Sequence, residues 1–288
     1  AGAAHSGMRT GAAGPFFRAV RVFALTAGLL ALSLLPCSAG DAAGSGRAWV
    51  ATRGEGQASP AEGHRVVTRV SVSSTGEEGQ ADSGYAAISP NGTYVAFASA
   101  ASNLVEDDEN DEQDVFVHQV ASRGTVRASV DSGGREGNGR SGLPSVTEVG
   151  DSYRVAFESL ASNLVSDDGN GMHDVFVHEG GTGETTRVSL APDGSGGNWS
   201  SANPALSADG SRVAFESAAT NLLEGPDEND RRDIFVRDLA SGEMTLISVS
   251  TGGEQGNEWS LRPAITPDGD YVAFTSAANN LVPEDGNG

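Results

Sequence analysis

The sequence has 288 residues, a length that one all-β domain such as a sandwich, barrel or propeller can occupy. It contains 39 acidic and 18 basic residues, every basic residue is an arginine, and the net charge is −21. Because binding to phosphate groups requires positive charge, this composition excludes a typical nucleic-acid-binding protein, and we expect no nucleic-acid partner.

Residues 1–39 have the features of a secretory signal peptide. Arginines precede an uncharged run at 22–35, which is followed by Pro36, Cys37 and small residues. This run is too short for a permanent anchor, so we expect a secreted or periplasmic protein whose mature form has no transmembrane segment. Lipoprotein anchoring through Cys37 is an alternative that Pro36 disfavours. Removal of residues 1–39 leaves 15 basic and 39 acidic residues, a net charge of −24, and no cysteine.

Residues 40–63 are rich in glycine, alanine and serine without an apolar period, which predicts a flexible leader. Residues 64–288 are repetitive. The motif VAF places phenylalanine at 97, 157, 215 and 274, and the motif NL places asparagine at 103, 163, 221 and 280, with steps of 60, 58 and 59 residues in both series. Such a period indicates an array of similar structural units.

Each repeat contains four short runs with the composition of β-strands, which in the third repeat begin at Pro204, Arg212, Asp233 and Met244. Hairpin turns such as ADGS and ASGE join the first run to the second and the third to the fourth. The other two connections are long and polar. Four antiparallel strands in each repeat predict an all-β protein, a β-propeller of four-stranded blades with a period of about 59 residues.

The segments ISPNGTYVAFAS, LSADGSRVAFES and ITPDGDYVAFTS, with DVFV or DIFV after them in the complete repeats, resemble the PD40 repeats of the WD40-like, TolB-type propeller family. The resemblance covers about residues 64–288 and implies a ring of blades, often six or seven. The second repeat departs from the pattern at its first turn, where it reads VTEVGDSYRVAFES.

The repeats also predict how many blades the chain supplies. The chain supplies a leading strand at 67–72, three full blades and two strands of a fourth. We therefore expect an incomplete ring that continues beyond Gly288. The alternative is a four-bladed ring in which the leading strand completes the last blade.

The loops between the second and third strands, called the acidic loops, carry Asp, Asn and Asp at offsets zero, two and six. These residues are Asp108, Asn110 and Asp114; Asp168, Asn170 and Asp174; Asp227, Asn229 and Asp233; and Asp285 and Asn287 in the truncated fourth loop. Oxygen ligands in a tight loop suit Ca²⁺, although the glycine that an EF-hand has at its sixth position is missing, so we expect weak binding. The alternative needs no metal, because Asp and Asn also hydrogen-bond the backbone of turns.

Antiparallel connections alternate between the two ends of a blade, so the acidic loops and the links between blades should share one end, called the long-loop face. Trp199 and Trp259 stand in these links, where they could stack on a sugar or a peptide. Serines at 83, 141, 201 and 260 recur in the links and are expected to fix them through hydrogen bonds to the backbone. His118 and His178 occupy the position that Arg237 has in the third repeat. Because arginine replaces histidine there, we predict that this position lies on the outer surface.

Catalytic motifs are missing from the sequence. It contains no G-x-S-x-G, H-E-x-x-H or P-loop motif, and an acid repeated in every blade does not form the asymmetric pair that acid–base catalysis needs. We therefore expect an exported, calcium-stabilised, non-catalytic module that binds or scaffolds a protein or polysaccharide. The alternatives are the propeller portion of a secreted hydrolase and, by resemblance alone, a periplasmic partner-binding propeller like TolB.

Overall fold

The computed structural model describes residues 18–19, 48–53, 65–225, 227–283 and 285. The regular secondary structure of this part is entirely β-strand, so no helix there could cross a membrane. The expected signal peptide, apart from the two-residue strand β1 (Arg18–Ala19), lies outside the described residues. Within the expected leader, residues 49–53 form β2 (Trp49–Arg53), which pairs antiparallel with β3 (Arg65–Arg69).

Three four-stranded antiparallel sheets follow in chain order. The first blade contains β4 (Ser83–Ile88), β5 (Tyr94–Ser99), β6 (Asp114–Gln119) and β7 (Thr125–Arg127). The second blade contains β8 (Ser141–Val149), β9 (Ser152–Ser159), β10 (Asp174–Glu179) and β11 (Thr185–Arg187). The third blade contains β12 (Ser201–Leu206), β13 (Arg212–Ser217), β14 (Asp233–Asp238) and β15 (Met244–Leu246). The predicted blade pattern is confirmed.

A fourth sheet contains β16 (Ser260–Ile265) and β17 (Tyr271–Ser276), with β1 paired parallel to β17. The described sheets succeed one another without closing into a ring. The leading strand does not complete the last sheet, as the four-bladed alternative required, because its residues 67–69 belong to β3, which pairs with β2. Continuation of the ring beyond Gly288 stays a prediction.

Each blade is held by the two phenylalanines of its VAF and DVFV or DIFV motifs. Phe157 and Phe176 lie opposite each other on β9 and β10, with ring centroids 5.9 Å apart, and the corresponding pairs of the first and third blades are 5.8 and 5.9 Å apart. These rings are buried between successive sheets. Such an aromatic pair contributes about 0.5–1.5 kcal/mol beyond the burial of its area.

The hairpin of the second blade replaces the expected Asp-Gly turn with a tighter one and has longer strands. Strands β8 and β9 continue their pairing to Val149 and Ser152, and Gly150 makes the turn with a φ of +58°. Glycine adopts this left-handed angle without the steric cost that a Cβ would bring. The departure from the repeat pattern therefore extends the hairpin and leaves the blade intact.

Candidate functional site

The acidic loops and the links between blades do lie together. Asn163 begins the second acidic loop, and its Oδ1 accepts the N–H of Asn138 in the preceding link, while its Nδ2 donates to the carbonyl of Glu136, both at 2.8 Å. The same pair of bonds recurs at Asn103, Asn221 and Asn280. One end of the sheets therefore carries all the long segments, as the strand order predicted.

Within the second acidic loop, Asp174 is the centre of a hydrogen-bond network. Its Oδ1 accepts the hydroxyl of Ser189 at 2.5 Å, and its Oδ2 accepts Nδ2 of Asn170 at 2.8 Å. The same Nδ2 donates to the carbonyl of Gly197, in the link to the third blade, also at 2.8 Å. We call this arrangement the Asp–Asn clasp, because it fastens the start of the third strand to the segment just after the fourth strand and to the next link.

The clasp recurs in the first and third blades. Asp114 accepts from Ser129 and Asn110, and Asp233 accepts from Ser248 and Asn229. Each of the two asparagines also donates to the carbonyl of a link glycine, at 2.7 and 2.6 Å. In the fourth loop, Asp285 is described and Asn287 lies outside the described residues.

The three clasps differ in the group that balances their carboxylates. In the first blade, the guanidinium of Arg127 lies 3.7 Å from Asp108 and 3.8 Å from Asp114, and it pairs with Glu136 as well. In the second, Arg187 lies 3.5 Å from Asp168 and 3.6 Å from Asp174.

The third clasp has no arginine at this place, because Leu246 ends its fourth strand. Nε2 of Gln255 donates instead to Asp227 at 2.8 Å and to Asp233 at 2.7 Å. The fixed Asp, Asn and Asp thus serve one hydrogen-bond pattern, while the balancing donor changes from blade to blade.

Burial governs the ionisation of these carboxyls. It raises the pKa of Asp114 to about 7, against the opposing effects of the Ser129 hydroxyl and Arg127. It raises the pKa of Asp108 to about 6, and neighbouring Glu136 adds to the rise against Arg127. The pKa values of Asp168, Asp174 and Asp233 are raised as well, again mainly by burial.

The first clasp also has the geometry of a metal site. Carboxylate oxygens of Asp108, Asp114 and Glu136 all lie within 4.8 Å of one another. Among the described residues, no other group of three or more His, Cys, Asp or Glu side chains meets this spacing. The acidic triad can therefore hold a metal ion, and the sequence pattern did not single out Glu136, which comes from the next link.

The first strands of the blades contain a feature that the sequence did not reveal. Each is bulged, and the bulge places a residue other than glycine at a positive φ: Tyr85 (+52°), Leu143 (+46°), Asn203 (+52°) and Arg262 (+54°). They stand two residues after the recurring serines. This backbone is unfavourable for most residues, and such strain clusters at functional sites. Because the four side chains share no chemistry, pattern analysis could not find them.

The predicted ligand residues lie at the same end. Trp199 and Trp259 are 54% and 41% exposed, and their links hydrogen-bond the starts of the following acidic loops. Tyr85 of the first blade, just after the start of β4, is 56% exposed. Aromatic side chains are therefore presented along this face.

Two sequence expectations need correction. The hydroxyl of each recurring serine bonds the hydroxyl of a serine on the adjacent second strand, and not the backbone of the link. Ser141 pairs with Ser159 at 2.9 Å, and equivalent pairs occur in the other sheets. His118 and His178 are buried, not on the outer surface, and Nδ1 of each bonds a threonine hydroxyl at 2.9 Å. Interchange with arginine misled the prediction, because Arg237 is itself half-buried at the same position.

No family model and no curated protein matches the chain. Among solved structures it is similar to TolB from Acinetobacter baumannii, with 19% identity over 74% of this chain and 40% of that chain, and a TM-score of 0.40. It is also similar to the Dos1 propeller (8% identity, 66% of this chain, 41% of that chain, TM-score 0.35). A third is an oligogalacturonate lyase from Vibrio parahaemolyticus (11% identity, 84% of this chain, 58% of that chain, TM-score 0.36).

The chain spans less than two thirds of the length of each of these proteins. The likeness concerns the fold alone. The four-stranded antiparallel sheets in chain order make the described part of this chain a β-propeller array.

Proposed function

We propose that this chain is an exported, non-catalytic binding module whose long-loop face meets a protein or a polysaccharide. The observation that carries the proposal is the set of exposed aromatic side chains, Trp199, Trp259 and Tyr85, beside bulged strands with strained backbone. Exposed aromatic groups on loops held by a rigid scaffold are typical of binding surfaces. Export rests on the sequence features of residues 1–39.

The test is binding of the full chain to arrays of polysaccharides and polypeptides. The double variant Trp199→Ala and Trp259→Ala should lose at least about tenfold in affinity for the ligand found, as central aromatic contacts do at interfaces. Val126→Ala is the matched control, since Val126 is exposed on the outer strand β7. Equal binding by the double variant and the control, or turnover of any array component, would refute the proposal.

We further propose Ca²⁺ as the cation of the first clasp. Three carboxylates there face one guanidinium, so the ionised cluster keeps an excess of negative charge that a divalent ion would balance. The second clasp has Gly196 where the first has Glu136, and it offers two carboxylates. We therefore assign the strongest Ca²⁺ binding to the first blade.

Thermal unfolding in excess chelator, and then with Ca²⁺ or Mg²⁺ up to about 10 mM, tests this assignment at the affinity of extracellular sites. A hundredfold excess of Ca²⁺ over its dissociation constant should add about 2.7 kcal/mol to stability. Glu136→Gln should reduce the gain, whereas Glu184→Gln, an exposed control, should not. An unchanged midpoint in Ca²⁺ would show that Arg127 alone balances the clasp.

A further inference from the structure

A small cavity lies between the first and second blades on the long-loop face. Its volume is about 60 Å³, room for a compact polar group. Tyr85 and Gln113 of the first blade and Leu143, Glu158 and His173 of the second line it. Two of these residues, Tyr85 and Leu143, are those that the bulges hold at positive φ.

The wall of the cavity contains polar atoms that have no hydrogen-bond partner among the described residues. Nδ1 of His173 is buried and has no hydrogen-bond partner. Glu158 uses Oε2 to accept the N–H of Asn203 at 3.2 Å, and no described residue donates to its Oε1. Gln113 donates its Nε2 to the carbonyl of Ser141 at 3.0 Å, which leaves its amide oxygen available. The free oxygens of Glu158 and Gln113 can only accept hydrogen bonds, and Nδ1 of His173 accepts in one of its two tautomers. Because unmatched polar atoms in a buried place cost free energy, the wall favours an occupant with several donors.

The equivalent place between the second and third blades is closed by the chain itself. Arg232 stands in the repeat where His173 stands, and its NH1 donates to Oε1 of Glu216 at 2.8 Å. Glu216 is the counterpart of Glu158, because its Oε2 accepts the N–H of Arg262 at 2.8 Å just as Glu158 accepts that of Asn203. The two places share the carboxylate, and one has an arginine where the other has a histidine.

We propose that the cavity binds the guanidinium group of an arginine side chain from a partner polypeptide. A guanidinium carries five N–H donors in one plane and pairs well with a carboxylate and neighbouring acceptors. In the third blade, the guanidinium of Arg232 pairs with Glu216, the counterpart of Glu158. The imidazole of His173 is shorter than an arginine side chain and leaves the space beside Glu158 open. The acidic chain would attract a basic partner. Arg140, which also lines the cavity, opposes the incoming charge.

This inference rests on the proposed binding function and names the partner chemistry. The probe is ethylguanidinium chloride, with neutral ethylurea and ethylammonium chloride as controls, added to the isotope-labelled full chain. Nuclear magnetic resonance follows the His173 imidazole and the Asn203 amide, which bonds Glu158. Ethylguanidinium should shift both signals in a saturable way, whereas ethylurea should not.

Two substitutions, each of which places in one blade the residue that the other blade has at that position, extend the test. His173→Arg copies the ion pair of Arg232 and Glu216, and it should weaken binding at the Asn203 amide by at least about tenfold, the loss expected when a charged contact is taken by the chain itself. Arg232→His should open a second site, reported by the amide of Arg262. Arg140→Ala should strengthen binding, because it removes the opposing charge.

Several results would overturn the inference. One is the absence of any shift at His173 and Asn203, and another is equal binding by the His173→Arg variant. Equal shifts with ethylurea would mean that the cavity accepts any polar group, and tighter binding of ethylammonium would assign it to lysine chemistry. The Trp199 and Trp259 variants do not change the residues that line the cavity. The two tests therefore give separate answers for the proposed function of the exposed tryptophans and for the proposed arginine site.

Discussion

Asp174 uses both carboxylate oxygens, accepting from Ser189 and from Asn170, while the hydroxyl of Ser189 also accepts the N–H of Val175 at 3.1 Å. The side chain is fully buried, so each of these bonds replaces one that water would have made. Shorter, longer or neutral side chains at this position cannot satisfy the same donors. This explains why the Asp, Asn and Asp offsets recur while the residues between them vary.

Asp174→Ala should lower the free energy of unfolding by about 2–4 kcal/mol, because it leaves the buried hydroxyl of Ser189 and the half-buried amide of Asn170 without their charged acceptor. Urea denaturation measures the change. Asp193→Ala is the control, since Asp193 is exposed and bonds the neighbouring Ser195 alone among the described residues. A loss for Asp174→Ala no larger than that of the control would contradict the role of the clasp.

Stability should also depend on pH through the first clasp. The folded-state pKa values of Asp114, about 7, and Asp108, about 6, exceed the ordinary value of 3.8, so both carboxyls favour the protonated form on folding. Their contribution is fully present below pH 4 and is lost as pH rises through 6 and 7.

Urea midpoints measured in chelator should therefore rise as the pH falls from about 8 to about 5. Asp114→Asn should flatten this slope whatever it does to the absolute stability, because the asparagine does not titrate. Asp193→Ala should leave the slope as it is. A variant slope equal to that of the unchanged chain would place the titrating group elsewhere.

Among the elements, the first strand of each blade contains a bulge, and the bulge holds one strained residue between regularly paired residues. In β4, the register of pairing with β5 shifts between Gly84 and Ala87, and Tyr85 falls inside this interval with a φ of +52°. A residue with a Cβ in this region costs roughly 1–2 kcal/mol. The surrounding ladder maintains the conformation, because Ser83 and Ile88 pair normally at either side.

Tyr85→Gly should be more stable than Tyr85→Ala by about 1 kcal/mol, because glycine adopts positive φ without the Cβ clash. Thermal unfolding of the two variants measures the difference. The matched pair is Ile88→Gly and Ile88→Ala in the regular part of the same strand, where alanine should be the more stable. The same order at both positions would show that the bulge stores no strain.

At the scale of the whole molecule, each sheet packs on its neighbours along the chain. One core cluster joins the first and second blades around Phe157, another joins the second and third around Phe215, and a third joins the third blade to the fourth sheet around Phe274. Contacts between neighbours dominate, as in other repeat proteins, whose stability approximates a sum over units and interfaces.

Phe215→Ala should cost about 3–5 kcal/mol and should act locally. Amide hydrogen exchange should accelerate most in the third blade, less in its two neighbours, and least in the first blade. Phe97→Ala is the reciprocal control, with its largest effect in the first blade. Uniform acceleration over all sheets would show that the described blades unfold as one unit.

The sequence predicted the blades well because their period is strong and their hairpins are short. The third-blade strands at Arg212, Asp233 and Met244 begin where the pattern placed them, whereas β12 begins at Ser201, three residues before Pro204. Its bulge breaks the alternation that marks a strand. The partners of the clasp were not predictable, since Ser189 and Gly197 come from later segments. The cavity was harder still, because it depends on the contrast between His173 and Arg232.

The bulged first strands have one more consequence, for how such an array can diversify after duplication. Their backbone shape is the same in the three blades and the fourth sheet, which carry tyrosine, leucine, asparagine and arginine at the positive φ position. The scaffold therefore places no demand on that side chain beyond tolerance of its backbone angle. Substitutions there should change the side chain that the strand presents while the blade keeps its core, so surface chemistry and foldability can vary independently in this chain.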